Sequence, residues 1–143
     1  MALRQSRILT EGAPAPDIPG VPAGKAALVV FFKITCPVCQ LTLPYLNRLH
    51  QAGTLAVYGV SQNEPDDTRE FIDEFQIEFP VVYDSEEAGY PASNEYRISS
   101  VPTMFLIGAD GRITSAMEGW NKKDMERLGV VRADDNVPEW KAG

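Results

Sequence analysis

The strongest constraint on the fold is an apolar run, residues 26–32, followed three residues later by Cys36-Pro37-Val38-Cys39. An unbroken run of this length is typical of a strand that is buried on both faces. Pro37 suits the first turn of a helix, and apolar residues recur at helical spacing through residues 37–51. The sequence therefore predicts a buried strand that leads into a helix whose N-terminus carries both cysteines.

Further elements alternate in type along the chain. The pattern predicts strands at residues 55–60, 79–83, 103–107 and 112–117, helices at 65–75 and after a capping Asn121, and a loop with one helical turn at 84–96. Strands that alternate with helices indicate an α/β fold. We expect a mostly parallel five-stranded sheet with an antiparallel C-terminal hairpin and helices on both faces.

Length and charge limit the possible functions. The 143 residues predict a single domain, 1–143, with an extended lead-in at 1–24 and a tail at 130–143. A net charge of −7 argues against nucleic acid or an anionic membrane as partner. No run is long enough to span a membrane or resembles a signal peptide, so we expect a cytoplasmic protein. A periplasmic or membrane-tethered protein is the alternative, if a signal segment has been removed.

The cysteine pair is the main candidate for chemistry. Cys36 is expected at the helix N-cap, where unpaired amides and the helix dipole favour the thiolate form. Cys39 lies one turn further in and is expected to be shielded. Cys36 would therefore attack a disulfide, and Cys39 would resolve the mixed disulfide, with no cofactor other than the redox-active disulfide itself.

Three alternatives to redox chemistry are weaker. A structural zinc site needs about four ligands, whereas the chain offers two cysteines and one histidine, His50. A structural disulfide over so short a loop would stabilise little. Two inert, buried cysteines at this spacing would be a coincidence.

Four features together resemble the thioredoxin superfamily. They are the Gly-x-x-Ala-Pro-Asp opening at residues 12–17, the strand–CxxC–helix junction, Pro44 within the predicted helix, and Ser100-Val101-Pro102-Thr103 before an apolar strand. The chain is most similar to the TlpA/ResA-like redoxin branch, which borders the AhpC/TSA peroxiredoxins. This resemblance implies a thioredoxin-like fold and thiol–disulfide exchange with protein substrates.

The resemblance also implies a substrate surface. It predicts a cis Val101–Pro102 bond that packs against the CxxC motif, with the Val101 backbone pairing with an incoming substrate strand. Pro102, Pro37 and Val38 would line the same surface. A monomer that exchanges electrons with an upstream donor or acceptor is expected.

The sequence departs from the family at two acidic positions. Val30 stands where thioredoxins carry a buried aspartate, and Thr42 stands where ResA-like proteins carry a glutamate. A carboxylate at either position would assist proton transfer from the resolving thiol, so the proton acceptor for Cys39 is unassigned. Lys33 is a candidate for electrostatic support of a thiolate, although a solvated lysine is the simpler interpretation.

Two other functions stay open. A peroxiredoxin-like peroxidase needs Pro-x-x-x-Thr-x-x-Cys, which neither cysteine satisfies, although Arg97 or Arg112 is a candidate cation. A non-catalytic thioredoxin-like binding domain is the third hypothesis, and the intact CxxC argues against it. We expect packing roles for His50, Trp120 and Trp140, with Trp120 at the border of the substrate groove as an alternative.

Overall fold

The computed structural model describes residues 7–143. Its elements are β1 (Ala27–Phe32), α1 (Pro37–Ala52), β2 (Ala56–Ser61), α2 (Pro65–Phe75), β3 (Val81–Tyr83), α3 (Pro91–Glu95), β4 (Thr103–Ile107), β5 (Ile113–Glu118), β6 (Trp120–Asn121), α4 (Lys122–Arg127) and β7 (Trp140–Lys141). Within this range, no helix is both long enough and apolar enough to cross a membrane.

The central sheet has the strand order β3-β2-β1-β4-β5. Strands β1, β2 and β3 are parallel, whereas β4 pairs with β1 antiparallel and forms a hairpin with β5. The predicted parallel strands and antiparallel C-terminal hairpin are confirmed. The register places Phe31 opposite Thr103, so the segment after β1 and the segment before β4 meet at the same end of the sheet.

The two faces of β1 lie in separate clusters of the core. Leu28, Val30 and Phe32 pack with apolar residues from α1, α2 and α4. Val29 and Phe31 pack on the opposite face with residues that include Tyr96, just after α3, and Ile18 of the lead-in. The strand is buried at every position, as the unbroken apolar run predicts, and helices cover both faces.

The lead-in runs along the β4–β5 hairpin. Backbone amides of Gly12 and Ala15 donate to the carbonyls of Ile113 and Gly111, each at 2.8 Å, and the Tyr96 hydroxyl donates to the Pro16 carbonyl at 2.6 Å. Of the predicted lead-in, residues 1–6 lie outside the described residues, and its assignment together with the tail to one domain stays a prediction.

The tail folds back on the end of β5. Strand β7 pairs with β6, the Lys122 amide donates to the Glu139 carbonyl at 2.9 Å, and the Trp120 indole donates to the Pro138 carbonyl at 2.6 Å. Trp120 is buried, as its packing role requires. The expectation that Trp140 packs on the domain is wrong: its backbone pairs with Asn121, and its side chain is 62% exposed.

Candidate active site

Cys36 is the N-cap of α1, as predicted. Its backbone is extended (φ −86°, ψ 116°), Pro37 occupies the first turn, and the Cys39 amide donates to Cys36 Sγ at 3.3 Å. The sulfur thus occupies the position in which a serine or aspartate oxygen normally caps a helix. This arrangement directs at the Cys36 sulfur an amide that has no carbonyl partner within the helix, together with the positive end of the helix dipole.

Cys39 lies in a different environment. Its side chain has no exposed surface and belongs to the main apolar cluster. This burial raises the pKa of Cys39 far above the usual thiol value, although a hydrogen bond with the Lys33 backbone acts in the opposite direction. Cys39 is therefore a neutral thiol near physiological pH. Both cysteines are free thiols in the structure.

The loop before β4 completes the sulfur environment. The Val101–Pro102 bond is cis, which confirms the expectation from the resemblance to the thioredoxin superfamily. The Cys36 thiol donates to the Val101 carbonyl at 3.5 Å, across 65 residues of sequence. The loop is fixed by the Gly119 amide, which donates to the Pro102 carbonyl at 2.8 Å, and by the Thr103 hydroxyl, which donates to the Ser100 carbonyl at 2.7 Å.

Two side-chain amides that the sequence reasoning missed hold the turn between β1 and α1. The Ile34 amide donates to Asn63 Oδ1 at 2.8 Å, and Gln40 Nε2 donates to the Ile34 carbonyl at 2.9 Å. Gln40 follows Cys39 directly, so its place near the turn is visible in the sequence. Asn63 comes from the end of β2, and no local pattern indicates that it reaches this turn.

The other predicted site residues lie around this centre. Pro37 is exposed and Val38 is half-buried in the first turn of α1. Lys33 is exposed at the edge of a polar cleft that Gln62, Tyr90, Ser100 and Val101 also line. These positions agree with the predicted roles but do not test them.

The acidic positions of the family are apolar or neutral here. Val30 and Thr42 are completely buried, and the Thr42 hydroxyl donates to the Val38 carbonyl at 2.7 Å. Within residues 7–143, no carboxylate forms a hydrogen bond with either cysteine, and no group of three or more potential ligands is placed to bind a metal ion.

Three of the remaining candidates contact other parts of the molecule. His50 packs edge-on against the Phe79 ring, with 6.5 Å between centroids, and Trp120 packs against Tyr45 at 5.2 Å. The Arg112 guanidinium donates to the Gly12 carbonyl at 2.8 Å, beside the β4–β5 turn. That turn lies at the opposite end of β4 from Val101, so Arg112 does not serve the cysteines. Arg97 is exposed.

Known proteins share this architecture. The thioredoxin domain of a thiol-disulfide oxidoreductase from Bacteroides vulgatus superimposes with a TM-score of 0.73 at 24% identity, over 85% of this chain and 96% of that one. StoA from Bacillus subtilis gives a TM-score of 0.63 at 21% identity, over 87% and 98% of the two chains. The fold is therefore thioredoxin-like, as the resemblance implied.

Sequence relatives agree with the fold. The thiol-disulfide oxidoreductase ResA of Geobacillus kaustophilus is 28% identical over 109 residues, which are 73% of this chain and 61% of that protein. The chain thus spans about three-fifths of the length of this curated relative. The model of the AhpC/TSA family matches residues 17–116, well over half of the sequence. The protein is therefore a member of the AhpC/TSA family, with a thioredoxin-like fold and a CxxC motif at the N-terminus of its first helix.

Proposed function

We propose that this protein is a thiol–disulfide oxidoreductase that exchanges the Cys36–Cys39 pair with disulfides of protein substrates. One observation supports this most: the Cys36 sulfur, on a partly buried residue, caps α1 and lies 3.5 Å from the Val101 carbonyl, while Cys39 is fully buried one turn behind it. The first thiol is open to a partner, and the second is protected from one. The names of the ResA relatives point to the same activity.

The exchange proceeds in two steps. The Cys36 thiolate attacks one sulfur of the substrate disulfide, so a Cys36–substrate bond forms and the other substrate sulfur leaves as a thiolate. Cys39 then loses its proton and attacks Cys36 Sγ, which releases the second substrate sulfur. Two electrons pass from the Cys36–Cys39 dithiol to the substrate, and a Cys36–Cys39 disulfide remains. The same steps in reverse oxidise a substrate dithiol.

The second step depends on the environment of Cys39. Because burial raises the pKa of this thiol, it must lose a proton when it attacks, and the protein supplies no carboxylate hydrogen-bonded to it within residues 7–143. Water, or the substrate thiolate released in the first step, is the available proton acceptor. Deprotonation of Cys39 is therefore a barrier that belongs to the second step.

Substrate recognition would use the loop before β4. Within the described residues, the Val101 amide has no hydrogen-bond partner, so it is free to donate to an extended peptide beside the disulfide. Pro102, Pro37 and Val38 border the same sulfur. The upstream electron donor or acceptor, the monomeric state and the cytoplasmic location stay predictions.

A peroxidase is a less well supported alternative. The AhpC/TSA name is shared with peroxiredoxins, but neither cysteine here has the threonine and proline spacing of the peroxidase motif. The candidate cation Arg112 bonds to Gly12 at the far end of the sheet. A non-catalytic role is also disfavoured, because a binding domain has no need for a sulfur at a helix N-cap.

Reduction of insulin by dithiothreitol tests the proposal. We expect the wild-type protein to accelerate it, and Cys36→Ser and Cys39→Ser each to lose the acceleration. Incubation with an oxidised protein mixture should leave mixed disulfides on Cys39→Ser and none on Cys36→Ser. The reverse trapping pattern would exchange the two roles, and failure of the wild type in the insulin assay would refute the proposed activity.

Hydrogen peroxide separates the two enzymatic hypotheses. An ordinary reactive thiolate is expected to be oxidised slowly, and we take about 10³ M⁻¹s⁻¹ as the upper limit for it. A much faster oxidation of either cysteine would favour the peroxidase.

A further inference from the structure

The segment Trp140–Gly143 lies against the loop that is proposed to receive substrate. A Cβ atom built on Gly143 would collide with the Val101 carbonyl oxygen, would lie 2.7 Å from the carbonyl carbon, and would lie 3.2 Å from the Pro102 nitrogen. Only a residue without a side chain fits this close to the loop backbone. Gly143 therefore covers one side of the Val101 carbonyl, whose oxygen also accepts the hydrogen bond from Cys36.

The residues that precede Gly143 lie against Gly119. A Cβ on Gly119 would collide with the Lys141 carbonyl and would lie 3.3 Å from the Gly143 nitrogen and 3.5 Å from Ala142 Cα. Gly119 is the residue whose amide fixes the Pro102 carbonyl. The segment thus crosses both the Val101–Pro102 loop and the glycine that supports it.

The attachment of the segment changes along its length. Pro138 and Glu139 are held by hydrogen bonds to Trp120 and Lys122, and Trp140 and Lys141 pair with β6. Within residues 7–143, Ala142 and Gly143 make no hydrogen bond. Within the described residues, Ala142 and Gly143 are therefore held by van der Waals contact alone, and a competing peptide that forms backbone hydrogen bonds at Val101 is able to displace them.

We infer that the segment Trp140–Gly143 determines substrate specificity. Small disulfides reach Cys36 while the segment is in place, whereas disulfides within extended polypeptide chains must first displace it. The inference rests on the proposed exchange activity and on the peptide site at Val101. A small disulfide needs only the half-exposed Cys36 sulfur, whereas a peptide needs the Val101 backbone that Gly143 covers. Exposed Trp140 lies beside Ser100 and Glu118, where it is available to contact a bound chain.

The test measures the first step alone, in a Cys39→Ser background. The small probe is 2-hydroxyethyl disulfide. The large probe is an extended peptide with a single internal cysteine held as a mixed disulfide with 2-mercaptoethanol. Attack of Cys36 on a sulfur of the small probe, or on the peptide sulfur of the large probe, releases 2-mercaptoethanol, so these two reactions differ in the attached chain and not in the leaving group. Attack on the other sulfur of the large probe releases the peptide thiol and gives an adduct of different mass, which is counted separately. Mass spectrometry gives the rate of adduct formation.

Two variants remove the contact in different ways. Gly143→Ala adds the Cβ that the Val101 backbone does not accommodate, and a chain that ends at Lys141 lacks the contact but keeps the hydrogen bonds at Pro138 and Glu139. Both are expected to raise the peptide rate by about tenfold and to change the 2-hydroxyethyl disulfide rate by less than about twofold. Ala109→Ser, at an exposed position in the turn at the far end of β4, is the matched control and is expected to leave both rates unchanged.

The outcomes separate the two proposals. An unchanged or lower peptide rate in both variants, or an equal rise for both probes, would overturn the specificity role and leave the exchange activity intact. If Cys36 forms an adduct with neither probe in any variant, the proposed function itself fails, and the specificity role fails with it.

Discussion

Cys36 and Cys39 are one helical turn apart, but the protein surrounds them differently. The Cys36 sulfur is half-exposed, accepts a hydrogen bond from an amide of α1 and donates one to the Val101 carbonyl. Cys39 has no exposed surface and lies among apolar side chains. The comparison shows that spacing brings the two residues together, whereas burial and helix capping make their environments different, which is the basis of the proposed attacking and resolving roles.

Alkylation should separate the two thiols most strongly. At about pH 7 we expect iodoacetamide to modify Cys36 in Cys39→Ser at least about 100-fold faster than Cys39 in Cys36→Ser. Because burial raises the pKa of Cys39, its rate should increase about tenfold per pH unit with no plateau up to about pH 10. Similar rates for the two thiols, or a plateau for Cys39 below about pH 9, would contradict the division of roles.

The same burial should appear in the pH dependence of stability. The pKa of Cys39 is higher in the folded protein than in the unfolded chain, so the folded state retains this proton when the unfolded state loses it. The contribution of Cys39 to stability is therefore full below about pH 8.5 and decreases at higher pH, by at most about 1.4 kcal/mol per pH unit. Denaturation of wild type and Cys39→Ser should show this difference, and parallel curves above about pH 9 would count against it.

A base placed near Cys39 should increase the rate of the second step, in which Cys39 attacks the mixed disulfide. Thr42 is one turn after Cys39 and completely buried, so Thr42→Glu introduces a carboxylate on the same side of α1. We expect the resolving step at about pH 7 to become about fivefold faster, and the protein to lose about 1–3 kcal/mol of stability from burial of the polar group.

Thr42→Gln is the control for this change. Glutamine has nearly the same shape as glutamate but cannot accept the proton, so the Thr42→Gln protein should lose stability without a faster second step. The rate of peptide release from the mixed disulfide is the measurement. An equal acceleration by glutamine would show that altered packing, and not proton transfer, is responsible.

The smallest expected effect belongs to Lys33. This exposed lysine borders the cleft beside Val101, so its attraction for a thiolate at Cys36 is weakened by solvent. Lys33→Gln should slow alkylation of Cys36 about two- to threefold at low salt, and the difference should disappear near 0.5 M salt, where screening is strong. A difference that persists at high salt would indicate a contact other than charge.

The parts of the site that lie in continuous sequence were predictable. The apolar run defines β1, Pro37 defines the start of α1, and together they place Cys36 at the N-cap of that helix. The Val101–Pro102 loop was located by resemblance to the thioredoxin superfamily, because composition and periodicity alone do not indicate a cis bond. Asn121 was identified as a cap, and its side chain accepts hydrogen bonds from the Lys123 and Asp124 amides.

The parts that depend on distant contacts were not predictable. Asn63 reaches Ile34 because β2 lies beside β1, and Gly143 reaches Val101 because the tail pairs with β6. A two-residue ladder has too little periodicity to be recognised in the sequence. Trp140 was misplaced for the same reason: a large apolar side chain predicts burial, but backbone pairing determines its direction here.

The antiparallel pairing of β4 with β1 has a practical consequence. Strand β4 begins beside the thiols and ends at the turn that contains exposed Ala109 and Asp110, about 14 Å further along the strand. A tether at Asp110 would fix the protein to an electrode with its sulfurs facing the solution. Voltammetry on such a surface would give the midpoint of the dithiol couple without a glutathione buffer.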